Sequence, residues 1–102
     1  MKTVMVRYKV KPGRIDENRQ YIDRVFEALS QSRPEGLRYA SFRMPDGVSF
    51  VHVASVDTAD GTNPLSETPA FQAFTADIRE RCDEPPAAVE LELVGSYRLV
   101  DG

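Results

Sequence analysis

At 102 residues the chain is long enough for one hydrophobic core and too short for two. An apolar content of 41% and a charged content of 28% exclude intrinsic disorder, and no apolar run reaches the length of a transmembrane helix. The net charge of −3 divides into +4 over residues 1–51 and −7 over residues 52–102, and an acidic chain without clustered Lys and Arg argues against a nucleic-acid binder.

Thr3 to Val10 sets Val4, Val6, Tyr8 and Val10 against Thr3, Met5, Arg7 and Lys9, the period of two that marks a strand. Lys11-Pro12-Gly13 breaks it. From Arg14 to Ser32, Ile15, Tyr21, Ile22, Val25, Phe26 and Leu29 fall at helical spacing on one stripe. Arg33-Pro34-Glu35-Gly36 ends that helix, because the residue before a proline is pushed out of the α region. Leu37 to Met44 and Val48 to Val56 are predicted strands joined by Pro45-Asp46-Gly47, a strong hairpin signal. Phe50, His52 and Ala54 share one face of the second of these, Val51 and Val53 the other.

Asp57 to Pro64 is polar and reads as a solvated loop, with a short helical turn at Leu65 to Glu67. Thr68 as cap and Pro69 at the first helical position open a second helix whose stripe is Phe71, Phe74, Thr75, Ile78 and Cys82. Asp83-Glu84-Pro85-Pro86 closes it. Ala88 to Val100 then alternates Val89, Leu91, Leu93 and Tyr97 with Glu90, Glu92, Ser96 and Arg98, a fourth strand.

The order β-α-β-β-α-β over residues 1–102 predicts one α+β domain of ferredoxin-like type, a four-stranded antiparallel sheet with the first and third strands central and both helices on one face. The other sheet face, carrying Val51 and Val53, is left uncovered. Face-to-face packing of two such sheets, about 10 Å apart, would bury it and predicts a homodimer built as a dimeric α/β barrel. A single cysteine, Cys82, excludes an internal disulfide, and the Met1 to Val10 segment lacks a leader pattern, so the expected compartment is the cytoplasm.

The strand Phe50-Val51-His52-Val53-Ala54, the polar loop after it and the run Ser66-Glu67-Thr68-Pro69-Ala70-Phe71-Gln72-Ala73-Phe74 resemble the antibiotic biosynthesis monooxygenase-like superfamily of dimeric α/β-barrel proteins. That group includes cofactor-independent oxygenases of polycyclic phenols, haem-degrading enzymes, small isomerases and many uncharacterised proteins, so the resemblance implies the fold more narrowly than the reaction. The haem-degrading members carry a Trp in the sheet and a His on the second helix. This chain has neither, which disfavours haem degradation. The quinone-forming oxygenases use an Asn and a Trp, and among these only Asn63 has a counterpart here.

The residues themselves offer His52, the only histidine, as a proton acceptor whose ordinary pKa lies near neutrality. Tyr8, Tyr39 and Tyr97 are candidates to orient a polar aromatic ligand, and Phe50, Phe71 and Phe74, with Phe26 and Phe42, to line an apolar cavity between sheet and helices. No phosphate loop, dinucleotide fingerprint or set of metal ligands is present, so no cofactor or metal is expected and any oxygen chemistry draws its electrons from the substrate. The expected function is therefore a cofactor-independent monooxygenase-like protein for a small aromatic or phenolic substrate, with a non-enzymatic ligand-binding homodimer as the alternative.

Overall fold

The structure, a computed structural model, describes residues 1–99. Strands β1 (Lys2–Val10), β2 (Leu37–Arg43), β3 (Ser49–Val56) and β4 (Cys82–Leu91) form one antiparallel sheet in the order β2-β3-β1-β4, so β1 and β3 are central as the sequence order requires. Helix α1 (Ile15–Ser32) follows a short 3-10 turn at Pro12–Arg14, and helices α2 (Pro69–Ala76) and α3 (Ile78–Arg81) fill the second crossover. Among the described residues no helix is long and apolar enough to cross a membrane.

The registers fix which side chains meet. Val6 lies opposite His52, Tyr8 opposite Phe50 and Ser41 opposite His52. Strand alternation then puts Val6, Tyr8, Tyr39, Ser41, Phe50, His52 and Ala54 on one face, against the helices. The buried core is Tyr8, Val10, Val25, Phe50, Leu65, Phe74, Ile78 and Cys82. Aromatic contacts stitch it: Tyr8 stacks on Phe50 with centroids 5.6 Å apart, and Phe26 stacks on Tyr39 at 5.1 Å.

The hairpin is held by Asp46, whose carboxylate accepts from the Val48 and Ser49 N–H groups and the Ser49 hydroxyl. These donors hold its carboxyl down at about 2. At the other end of the β2–β3 ladder Gly36, with φ +77°, accepts the Asp57 N–H at 2.7 Å, so two backbones lie directly against each other.

Three expectations on the C-terminal third are corrected. The second helix does not run from Thr68 to Cys82: it breaks at Asp77, and Cys82 is already extended and begins β4. The fourth strand is Cys82–Leu91 and not 88–100; residues 92–99 lie beyond it, Tyr97 is 83% exposed, and Val100 lies outside the described residues. Pro85 and Pro86 do not close a helix but sit inside β4. They are tolerated because β4 is an edge strand and because the register jumps there: Arg7 pairs with Ala87 and Lys9 with Glu84, which leaves the two prolines opposite Tyr8 as a β-bulge.

The opposite sheet face bears Met5, Ala40, Phe42, Val51, Val53, Val89 and Leu91, with Phe42 51% and Val89 50% exposed. Phe42 therefore faces away from the helices, and on their side of the sheet it only borders a recess beside Arg19, Ile22 and Asp23 of α1. It alternates with Tyr39 and Ser41 along β2, and its pairing with Val51 turns it outward.

Candidate functional site

Between the helix-facing side of the sheet and α2 and α3 lies a cavity of about 440 Å³. Its floor is Val4, Val6, Tyr8, Tyr39, His52, Ala54, Pro86 and Ala88, and its wall is Phe71, Phe74, Thr75, Ile78 and Arg79, with Asn63 and Leu65 from the preceding loop. Most of this lining is apolar, with a few converging polar groups, the usual make-up of a small-molecule site.

His52 is the polar centre and is only 5% exposed. Its Nε2 lies 2.7 Å from the Tyr8 hydroxyl, and its Nδ1 lies 2.5 Å from the Tyr39 hydroxyl and 2.9 Å from Ser41 Oγ. The Phe74 ring stacks over the imidazole at 5.4 Å. Burial among hydroxyls and rings disfavours the imidazolium and pulls the His52 pKa down to about 4. The ring is therefore neutral at pH 7 and a weaker base than its residue type promises. Burial likewise raises the Tyr39 phenol to about 12 and pushes the Tyr8 phenol above its ordinary value, so both keep their protons.

The hydrogen-bond chain continues under the cavity. Asn18 of α1, fully buried, donates its Nδ2 to the Tyr8 hydroxyl at 3.0 Å. Arg81, the last residue of α3 and also fully buried, donates Nε to Asn18 Oδ1 at 3.3 Å and Nη2 to the Phe74 carbonyl at 2.7 Å. Its guanidinium lies 4.5 Å from the centroid of the Tyr21 ring, a cation–π contact, while Nη1 has no hydrogen-bond partner among the described residues.

Of the residues singled out in the sequence, the structure brings Tyr8, Tyr39, His52, Asn63, Phe71 and Phe74 to this one cavity. Asn63 is exposed at its rim, and its side-chain oxygen accepts the Leu65 N–H at 3.0 Å, so the amide NH2 is the group it has left to offer. Phe50 is buried under Tyr8 and lines a separate recess with Arg19, Ile22, Asp23, Ser41, Phe42 and Arg43. Tyr97 is not among the cavity residues and is largely exposed. Sequence reasoning missed Asn18, Ser41 and Arg81. The signal was there: Asn18 falls three residues after Ile15 and four before Ile22, and Arg81 continues the spacing Phe71, Phe74, Ile78, so each is a polar residue on an apolar stripe.

A ferredoxin-like α+β domain with an aromatic cavity between sheet and helices is thus the class that fold and site define. Solved structures share this fold. One is Rv0793 from Mycobacterium tuberculosis, 18% identical over 93% of this chain and 96% of that one, with a TM-score of 0.74. A second is an antibiotic biosynthesis monooxygenase, 18% identical over 93% and 100% with a TM-score of 0.72. A third is SnoaB, a cofactor-independent oxygenase from Streptomyces nogalater, 19% identical over 95% and 96% with a TM-score of 0.68. The resemblance to the antibiotic biosynthesis monooxygenase-like group is thereby borne out at the level of the fold. No protein-family model matches the sequence, and no curated protein does.

Proposed function

We propose that the chain is a cofactor-independent monooxygenase acting on a small aromatic or phenolic molecule held in the 440 Å³ cavity, in the cytoplasm. The observation that carries this reading is the meeting of aromatic walls with a polar end made of His52 and Tyr39, with Asn63 at the rim of the same cavity. A fold shared with oxygenases, one of them described as cofactor-independent, supports it.

In this reading the substrate is an activated CH2 beside a phenol or ketone. It loses a proton to solvent at the side lined by Asn63, Thr75 and Arg79, and the anion's charge gathers on its oxygen. Hydrogen bonds from the polar end stabilise that charge most as it develops. The anion then gives its electrons to dioxygen. One oxygen atom bonds to the carbon and the other leaves as water, so CH2 and O2 become C=O and H2O. His52 holds Tyr39 and Tyr8 in place for this and is itself at the cavity wall.

The test is aerobic incubation with a panel of hydroxylated anthrones and hydroquinones, with nothing else added, followed by oxygen consumption. Wild type is expected to turn over at least one of them, and His52→Ala to do so about a hundredfold more slowly. A folded His52→Ala protein as active as wild type removes His52 from the mechanism. One observation favours a second reading, a ligand-binding protein without turnover: both ring nitrogens of His52 are already engaged by hydroxyls. Saturable binding of a panel member without oxygen uptake by either protein supports that reading.

The proposal includes a homodimer through the exposed apolar face around Phe42, Val53, Val89 and Leu91. Light scattering at micromolar concentration is expected to give twice the mass of the chain, and Phe42→Glu to shift it towards one chain, since a charge there would have to be desolvated on association. Wild type running as a monomer sinks the dimer.

A further inference from the structure

We infer that Arg81 is a positioning residue that sets the direction of every hydrogen bond up to His52, so that the ring carries its proton on Nδ1 and Tyr39 points its O–H into the cavity. Part of this rests on the functional reading: the donor at the cavity's polar end selects an aromatic ligand bearing a carbonyl or phenolate oxygen.

The row of hydrogen bonds has one unambiguous end. A guanidinium has only donors, so Arg81 Nε can meet Asn18 only at the amide oxygen. That orients the Asn18 amide and aims Nδ2 at the Tyr8 oxygen, which accepts. The Tyr8 hydroxyl proton is left with one acceptor within reach, His52 Nε2 at 2.7 Å. Were Nε2 protonated, two donors would converge on the Tyr8 oxygen and its own buried proton would have no acceptor, a costly arrangement at a site 2% exposed. A neutral ring that accepts at Nε2 must donate at Nδ1, and the oxygens there belong to Tyr39 and Ser41. Their own protons turn away from the ring; Ser41 donates to the Tyr39 oxygen, which leaves the Tyr39 proton for the cavity it lines.

An ion pair does not explain Arg81. Among the described residues it makes no salt bridge, and its charge rests on the Tyr21 and Phe74 rings instead. What this residue supplies that an amide or hydroxyl side chain would not is a donor that cannot reverse.

Because the chain has one histidine, a long-range proton–nitrogen NMR spectrum of the tagless protein shows one imidazole. At pH 7 the wild type is expected to show Nδ1 protonated and Nε2 bare. Asn18→Asp keeps the contact to Arg81 but offers Tyr8 only acceptors, so the chain reverses and the proton is expected on Nε2. Arg81→Met frees the Asn18 amide to turn, and both tautomers are expected. Nε2–H in the wild type, a bare Nε2 in Asn18→Asp, or an unchanged single tautomer in folded Arg81→Met each overturn the proposal. The wild-type spectrum decides even if a variant fails to fold. For the ligand, calorimetry with fluorenone and with fluorene, the same rings without the carbonyl, is expected to favour the ketone about tenfold in wild type and to show no preference in Asn18→Asp. Equal affinities in wild type overturn the ligand selection. Neither readout needs turnover, so failure of the oxygenase reading and failure of this one are told apart.

Discussion

Acidification from pH 7 to 4.5 is expected to cost the folded protein about 2 to 3 kcal/mol through His52 alone. In the native state its pKa is about 4, whereas the unfolded imidazole titrates at its ordinary 6.5. As pH falls through 6.5 the unfolded chain takes up a proton that the fold refuses, so stability declines. It levels off below about 4, where the native ring is protonated too. The fold has little with which to compensate the charge: the neighbours bonded to the ring are the hydroxyls of Tyr8, Tyr39 and Ser41, and Phe74 covers its face. Urea unfolding at the two pH values should show wild type losing this amount more than His52→Gln, which carries no titrating group. Parallel losses in the two proteins would place the acid sensitivity elsewhere.

Gly36→Ala is expected to destabilise by about 3 kcal/mol or more, a large share of the 5 to 15 kcal/mol typical of a domain. Two costs combine. At φ +77° any side chain pays about 1 to 2 kcal/mol for the left-handed backbone. A Cβ there would also stand 2.3 Å from the Asp57 carbonyl oxygen, and that atom belongs to a backbone anchored by the 2.7 Å bond back to Gly36. Gly47→Ala is the control, since its φ is +79° but nothing lies within 4 Å of the added carbon. Thermal melts should place Gly36→Ala well below Gly47→Ala; equal melting temperatures would mean that the β2–β3 end relaxes freely around the extra atom.

Most of the fold was legible because period-two and helical spacing differ clearly in β1, α1 and the β2–β3 hairpin, where no residue contradicts its element. The failures cluster where a local rule met a tertiary exception. Pro85-Pro86 reads as a breaker in one dimension, yet an edge strand with a bulge accommodates it. Cys82 extends the Ile78 stripe by four residues as well as Arg81 does by three, and its apolar side chain drew the helix one residue too far while Arg81 holds the true stripe position. At the site, Tyr8, Tyr39 and His52 were legible as residue types in strands, and register brought them together. Ser41 was not, because its partnership with His52 depends on a pairing that the sequence of β2 does not display. Asn18 and Arg81 were hidden by the habit of reading a stripe for its apolar members, when a polar side chain on the stripe is the one that must find a buried partner.

The bulge at Pro85-Pro86 also bears on how copies of this chain can meet. A strand edge attracts another strand by offering a regular row of N–H and C=O groups, the route to open-ended stacking and aggregation. Two successive residues without an N–H interrupt that row along β4, and the kink moves the remaining groups out of line. Sheet extension past β4 is thereby blunted at its middle, so a copy of this chain adding strand to strand would have to use the opposite border of the sheet, at β2.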